Sequence, residues 1–176
     1  MFITYLARFI AIVTGVMLAT GPSTTAAEAS QPKACSSAVY RQFDFWLGRW
    51  DVTANGKPAG KNRIESVLDG CALLESWTGA SGSTGHSLNT YDATRSVWHQ
   101  TWVDNSGLLL TLEGHLQAGA MVLEGMTAAS HDMPATRHRI TWTPQPNGDV
   151  RQLWQSSKDE ARTWQTEFDG LYQRAR

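Results

Sequence analysis

The sequence predicts an all-β fold, an antiparallel up-and-down barrel of about ten strands preceded by a short helix. Turn signals recur roughly every eight to twelve residues from Arg49 onward, which is typical of sandwiches and barrels. No segment between these turns has a helical period, so parallel crossovers are not expected. The eight tryptophans are spread along the chain, as they would be if most strands placed one large ring inside. A meander of this length removes its free edges by closing, and about ten strands leave room for a cavity.

The first 29 residues have the pattern of an export signal. Arg8 precedes the largely apolar run 9–18, and the Ala-Glu-Ala triplet that ends at Ala29 satisfies the small-x-small cleavage rule. We therefore expect cleavage after Ala29 and a periplasmic or secreted protein. The alternative is an N-terminal membrane anchor. The apolar run is shorter than the ~20 residues that a spanning helix needs, so no stable membrane anchor is expected.

Residues 30–48 are expected to form an N-terminal segment with one short helix, ahead of a single barrel domain at residues 49–176. Apolar residues at i, i+4 and i+7 give one apolar face to a helix over Ser36–Leu47. We expect this helix to plug the barrel or pack against it. The residues of its apolar face are Val39, Phe43 and Trp46.

Cys35 and Cys71 are the two cysteines of the chain, and an even count in an exported protein favours a disulfide. The bridge would close a loop of about 37 residues and contribute roughly 4 kcal/mol in the chain-entropy model. It would pin the N-terminal segment to the barrel. The alternative is a pair of buried free thiols.

Basic and acidic residues nearly balance, at 15 and 16, and give a net charge of −1. With no basic excess to hold phosphates, no nucleic-acid partner is expected. His131 and His138, with Asp132 between them, match no standard zinc spacing, so no metal site is expected. The sequence leaves the oligomeric state unknown.

The turns between the predicted strands combine Gly with Asn, Asp, Ser or Pro, the residues that tight turns require. The Asn147-Gly148 pair is a strong hairpin signal. The predicted strands are Trp50–Ala54, Asn62–Leu68, Ala72–Thr78, His86–Tyr91, Val97–Val103, Leu108–Gly114, Met121–Thr127, His138–Thr143, Val150–Gln155 and Thr163–Gln173.

The hairpin at residues 85–104 carries the clearest sign of a ligand-binding wall. Successive side chains of a strand point to opposite faces, so one face of this hairpin gathers aromatic rings with amides and hydroxyls. That mixture is typical of a ligand-lined concavity. Extending the face to neighbouring strands gives a candidate ligand-binding set of Glu75, Trp77, Asn89, Tyr91, Trp98, Gln100, Trp102, Gln152 and Trp154.

This set suits a polar-edged, flat or sugar-like ligand better than a fatty acid. The rings supply stacking area, while Glu75 and the amides supply oriented hydrogen bonds. The alternative is that the tryptophans fill a core and the amides satisfy one another.

Several motifs resemble a bacterial calycin-like, that is lipocalin-like, family catalogued as a domain of unknown function. They are FDFWLGRW from Phe43, GCALLESW from Gly70, GHSLNTYD from Gly85 and WHQTWVD from Trp98. The resemblance covers nearly all of the chain after the export signal, and it implies a calycin-like barrel without implying an activity.

The start of the first strand, Gly48-Arg49-Trp50, is also similar to the Gly-x-Trp opening of lipocalin-type barrels. In those barrels the Trp packs across the closed end beside a basic residue of the last strand, which would be Arg174 here. A haem-binding barrel of the nitrobindin type uses an axial His near the C-terminus. No His follows His138, so no cofactor is expected.

The segment Ser157–Trp164 resembles the Asp-box hairpin of sialidase-like propellers, with Ala161 where the motif has Gly. Propellers repeat this motif, whereas it occurs once here. We therefore expect a hairpin turn in which Asp159 accepts backbone amides and Trp164 covers the turn.

Three functions remain open. The first is an exported barrel that binds a small molecule of unknown identity. The second is a barrel enzyme acting on a polar or glycosidic substrate with Glu75 as acid or base, although no carboxylate partner stands out. A Ser87–His99–Asp104 triad is not expected, because the strand alternation separates its members. The third is a structural or partner-binding envelope protein that uses the loop 128–137.

Overall fold

The computed structural model describes residues 33–129 and 134–176, and over these residues the chain forms ten antiparallel strands that close into one up-and-down barrel. Each strand pairs with its neighbours in sequence, and the first strand closes the barrel by pairing with the last. The strands are β1 (Gly48–Ala54), β2 (Lys57–Val67), β3 (Ala72–Gly79), β4 (Thr84–Asp92), β5 (Val97–Asp104), β6 (Leu109–Gln117), β7 (Ala120–Thr127), β8 (Thr136–Pro144), β9 (Val150–Ser157) and β10 (Gln165–Arg174).

The predicted fold class is confirmed, and each predicted strand is present. A clear difference in bounds is at β2, which begins at Lys57 rather than at Asn62. Its first residues continue the β1–β2 ladder past a bulge, so pairing extends to the turn between the two strands. Asn55 and Gly56 both have positive φ in that turn, which is the conformation that a two-residue hairpin loop requires.

The N-terminal helical segment is confirmed in position, but it consists of two short 3-10 helices, Ala38–Arg41 and Asp44–Trp46, instead of one continuous helix. A 3-10 helix repeats every three residues, so Phe43 and Trp46 come to lie on one side. Both side chains are fully buried, whereas Val39 is only half-buried.

Phe43 and Trp46 plug one end of the barrel. Their rings stack with centroids 5.0 Å apart, and Phe43 lies 5.7 Å from Trp98 of β5 and 5.2 Å from Trp142 of β8. Trp46 lies 6.4 Å from Tyr172 of β10. These strands lie on different sides of the barrel, so the cluster fills the lumen at the end where β1 begins.

Trp50, buried at the start of β1, joins the plug to the last strand. Its indole N–H donates to the carbonyl oxygen of Trp46 over 2.9 Å, and the guanidinium of Arg174 lies 3.9 Å from the centre of its ring. Arg174 also donates to the carbonyl oxygen of Leu47. The contact expected between Arg174 and Trp50 is therefore present, and it holds the chain as it enters the barrel.

Cys35 and Cys71 form the predicted disulfide. The bridge links the N-terminal segment to the turn between β2 and β3, which lies at the plugged end. The side chain of Arg41 donates to the carbonyl oxygen of Gly70 in the same turn. A covalent and a polar contact thus hold the plug in place.

A structural disulfide is typical of an oxidising compartment outside the cytosol. The predicted export signal and its cleavage site lie outside the described residues. Within residues 33–129 and 134–176, no helix is both long enough and apolar enough to cross a bilayer.

We expect removal of the disulfide to lower the stability of the fold by roughly 4 kcal/mol, because the bridge spans 36 positions and restricts the unfolded chain. Urea denaturation of a Cys35→Ser/Cys71→Ser variant measures the loss. Wild-type protein in reductant is the matched control and should unfold at the same urea concentration as the variant. An unchanged midpoint in both samples would contradict the stabilising role assigned to the bridge.

Candidate functional site

A cavity of about 320 Å³ occupies the barrel interior on the other side of the plug. It reaches the surface beside the turn between β3 and β4, where Ser81 and Ser83 are exposed. The lining side chains come from seven strands and from this turn, and they are mostly aromatic or polar. They are Ala59, Glu75, Trp77, Ser81, Ser83, Gln100, Trp102, Leu110, Ile140, Trp142, Gln152, Trp154, Glu167, Phe168 and Tyr172.

Tryptophan side chains supply much of the cavity wall. The indole N–H of Trp102 donates to Asp104 over 3.3 Å, and that of Trp154 donates to Nδ1 of His138 over 3.2 Å. Burial lowers the pKa of His138, which favours the neutral imidazole that can accept this bond. With their donors engaged, Trp102 and Trp154 offer ring surface to the cavity.

A continuous band of hydrogen-bonded polar side chains crosses the interior from β5 to β9. Gln100 donates to Asn89 Oδ1 over 2.8 Å and to Ser87 Oγ over 3.4 Å, and Asn89 donates to Ser87 Oγ over 2.9 Å. Ser87 in turn donates to Oε2 of Glu75 over 2.6 Å. Asn62 donates to Oε1 of Glu75 over 2.7 Å. Glu75 is therefore the acceptor toward which this half of the band is directed.

The band continues on the other side of Glu75. Asn62 also contacts the hydroxyl of Tyr172 at 3.4 Å, and that hydroxyl donates to the side-chain oxygen of Gln152. Burial raises the pKa of Tyr172, and the nearby Glu75 carboxylate raises it further, so this hydroxyl keeps its proton. The polar band therefore runs from the amide of Gln100 to the amide of Gln152, with the carboxyl group of Glu75 between them.

Glu75 is 4 % exposed, and no Lys or Arg of the described residues forms a salt bridge with it. Burial raises the pKa of its carboxyl group, an effect that the hydrogen bonds from Ser87 and Asn62 and the nearby His86 only partly oppose. His86 meets only the backbone oxygen of Glu75, at 3.2 Å. The carboxyl group is thus hydrogen-bonded, and when it is ionised no Lys or Arg of the described residues pairs with it.

The structure brings six of the sequence-predicted residues together around the cavity, and leaves three away from it. Asn89 points inward and is fully buried, but it lies behind Gln100 and Ser87 in the polar band. Trp98 and Tyr91 lie against the N-terminal segment instead. The six that line the cavity are Glu75, Trp77, Gln100, Trp102, Gln152 and Trp154.

Trp98 and Tyr91 are displaced from the candidate wall because the N-terminal segment covers them. The indole N–H of Trp98 donates to Gln42 over 3.1 Å, and the ring of Tyr91 meets that of Tyr40 edge-on at 5.5 Å. The sequence placed these rings on the correct face of their strands but could not show which end of the lumen the plug would fill.

Sequence reasoning missed nine lining residues. Strand alternation was a sufficient signal for two of them. Across β8 and β9, Trp142 pairs with Gln152 and Ile140 pairs with Trp154, so each shares the face of a predicted residue. Tyr172 sits in a closing strand whose register with β1 only the structure shows. The missed residues are Ala59, Ser81, Ser83, Leu110, Ile140, Trp142, Glu167, Phe168 and Tyr172.

The structure does not assemble the Ser87–His99–Asp104 constellation. Ser87 bonds to Glu75 inside the barrel, whereas His99 bonds to Glu113 over 3.0 Å on the outer face. Asp104 accepts from Ser106 at the end of β5. Among the described residues no group of three or more His, Cys, Asp or Glu side chains is placed to hold a metal ion, and the segment containing His131 and Asp132 lies outside them.

The Asp-box-like segment forms the expected turn. The backbone N–H of Thr163 donates to Asp159 over 2.9 Å, and the hydroxyls of Thr163 and Ser157 donate to the same carboxylate. These bonds lower the pKa of Asp159 to about 2. Trp164 packs under the guanidinium of Arg139, which lies 4.2 Å from the ring centre. Asp159 therefore closes the turn as expected, whereas the ring of Trp164 contacts Arg139 of β8.

The chain matches no protein-family model, and no curated protein is significantly similar to it. The cavity and the polar band are accordingly the observations on which an argument about function rests.

We expect the Glu75→Gln variant to be more stable than wild type at neutral pH, with the gain vanishing in acid. The pKa of Glu75 is raised in the folded state. At pH values that begin near its ordinary pKa of 4.5, the folded protein therefore binds more protons than the unfolded chain does. Wild-type stability therefore falls as the pH rises through that window and stays lower above it. Urea denaturation at a series of pH values measures the difference.

Glu65→Gln is the matched control, because this carboxylate lies on the outer face of β2 beside Arg63 and is partly exposed. Its removal should change the free energy of unfolding by less than about 0.5 kcal/mol at each pH. A Glu75→Gln variant that is less stable than wild type at neutral pH would mean that the hydrogen bonds to the carboxylate outweigh its burial.

Proposed function

We propose that this protein is an exported barrel that binds a small molecule non-covalently in its interior cavity. The proposal rests on a hollow that is lined by tryptophan rings together with Glu75, Gln100 and Gln152. The hollow occupies one end of the barrel interior, and the N-terminal plug fills the other end. A barrel folded only for stability would fill this space with side chains, because protein interiors pack densely.

The size of the cavity sets the size of the ligand. A volume of about 320 Å³ lies at the lower end of the range for small-molecule sites, which begins near 300 Å³. It equals the volume of roughly ten water molecules in the liquid. A monocyclic or bicyclic compound with a short substituent fits this space, whereas a haem or a long acyl chain exceeds it.

Three features support export and a calycin-like relationship. The disulfide agrees with an oxidising compartment, and the N-terminal pattern that ends at Ala29 supports a periplasmic or secreted destination. The plugged end, with Trp50 beneath Arg174, supports a relationship to lipocalin-type barrels, which bind their ligands in the barrel mouth.

A second candidate function uses the same cavity. A buried carboxyl group with a raised pKa on a cavity wall is a common acid or base in enzymes, and Glu75 meets that description. Glu167, which accepts from Ser156, is a second carboxylate on the cavity lining. An enzyme would turn over its ligand and lose that turnover in Glu75→Gln, whereas a binding protein would return the ligand unchanged.

A structural or partner-binding role has less support. It would be favoured by an interior packed solid with side chains, and the barrel holds a cavity instead. Part of the loop that this role would use, residues 130–133, lies outside the described residues.

We expect protein purified from its source to retain a small molecule that native mass spectrometry detects, and Gln100→Leu to lose it. The replacement removes a polar group from the cavity wall and leaves its partner Asn89 unsatisfied, which should weaken binding about tenfold or more. The released compound, added back to wild type, should change tryptophan fluorescence, because Trp77, Trp102, Trp142 and Trp154 line the cavity.

Gln173→Leu is the matched control, since Gln173 is exposed on the outer face of β10 opposite Asp51. It should retain the compound at the wild-type level. Circular dichroism of both variants checks that the barrel is intact. A wild-type protein that carries no compound and shows no saturable fluorescence change with a source extract would reject the binding function.

A further inference from the structure

We infer that the cavity selects a small organic cation, whose N–H groups bind Glu75 and Gln100 while its apolar body lies against the tryptophan rings. This inference rests on the proposed binding function and specifies its ligand class. It follows from three features of the cavity, namely an uncompensated carboxylate, the acceptors left free by the polar band, and the aromatic wall.

When Glu75 is ionised, its carboxylate has no counter-ion among the described residues, and a cation in the cavity would favour the ionised form. Buried charges are normally paired with an opposite charge, because an isolated ion in a protein interior loses its hydration. Glu75 has two hydrogen-bond donors, the neutral groups of Ser87 and Asn62, but no salt bridge within the described residues. Glu75 also lines the cavity, so an occupant can supply the missing positive charge.

The wall near Glu75 offers acceptors, whereas Gln152 presents its amide N–H groups elsewhere on the wall, because its oxygen accepts from Tyr172. The amide nitrogen of Gln100 donates to both Asn89 and Ser87, so the carbonyl oxygen is the group that Gln100 can present to a ligand. A ligand that matches this side must bring hydrogen-bond donors.

The charges that line the cavity have one sign. Glu75 and Glu167 are its ionisable acidic residues, and the described lining contains no Lys, Arg or His. A carboxylate or phosphate ligand would therefore meet repulsion and find no cationic partner. This argues against fatty acids and other anions as occupants.

The aromatic wall also favours a cation. The faces of Trp and Tyr rings carry negative electrostatic potential and attract ammonium groups, most strongly where water is excluded. Trp102 and Trp154 engage their N–H groups elsewhere and so contribute ring surface to the cavity. A primary ammonium near Glu75 would lie within an acidic, aromatic enclosure, and an attached aryl or alkyl group would displace water from the rings.

Three compounds of nearly equal shape separate charge from size: 4-phenylbutylamine, 4-phenylbutanol and 4-phenylbutyrate. Isothermal titration calorimetry of the full exported chain at neutral pH measures their affinities. We expect the amine to bind at least about tenfold more tightly than the alcohol, because only the ammonium group adds the attraction of opposite charges to its hydrogen bond with Glu75. We expect no measurable binding of the carboxylate.

The Glu75→Gln variant keeps the shape of the side chain and removes its charge. It should weaken amine binding about tenfold or more and weaken alcohol binding by a clearly smaller factor, because the amine loses an ion pair and the alcohol loses only part of a hydrogen bond. Glu65→Gln, which removes an equal charge from the outer face, should leave the affinities of both compounds unchanged. Equal losses in the two variants would show that net charge, not the cavity carboxylate, attracts the amine.

Each remaining outcome is decisive for the inference. If the alcohol binds as tightly as the amine, the cation preference is wrong and the binding function stands, with Glu75 acting as a neutral acid. Tight binding of the carboxylate would also overturn the preference. If none of the three binds at millimolar concentration, the inference is rejected, and the binding function is then judged by the retained compound alone.

Discussion

The interior of this barrel depends on one buried carboxylate held between two neutral donors. Glu75 accepts from Ser87 on one side and from Asn62 on the other, and through them it is linked to β4 and β2. These bonds orient the carboxylate and partly offset its loss of hydration. Glu75 also lines the cavity, so the group to which both halves of the polar band are directed borders the hollow.

The two ends of the barrel differ in how their interiors are filled. At one end Phe43 and Trp46 fill the lumen, and the disulfide and the Trp50–Arg174 contact hold them there. This packed end supplies the apolar burial that a closed barrel needs. The other end is thereby free to keep a hollow whose walls carry polar groups at some energetic cost. Trp142 and Tyr172 contact the plug and also line the cavity, so the packed end supports the floor of the hollow.

Much of the fold was predictable because its signals are local. Turn residues mark the ten strands, and strand alternation correctly turned Glu75, Gln100 and Trp102 inward. The position of the plug was not predictable, because it depends on how a few residues of 3-10 helix fold back over the strand ends. Trp98 and Tyr91 were therefore assigned to the ligand wall although the N-terminal segment covers them.

The hydrogen-bond partners within the polar band could not be predicted from the sequence either. Period-two alternation indicates that Asn89 faces inward, but only the register between β4 and β5 shows that it bonds to Gln100 instead of facing the cavity. Glu167 lies beside a bulge in β10, and Ser81 lies in the turn between β3 and β4. At such positions strand alternation does not show which way a side chain points.

The indole N–H signals of the eight tryptophans test the central claim most directly, because each reports a different part of the barrel. In ¹⁵N–¹H spectra recorded during titration with 4-phenylbutylamine, this account predicts saturable shifts for Trp77, Trp102, Trp142 and Trp154, which line the cavity. Trp46 and Trp50 in the plug and Trp164 on the outer surface should move little. Shifts confined to Trp164, or an unchanged spectrum at saturating amine, would contradict a ligand site inside the barrel.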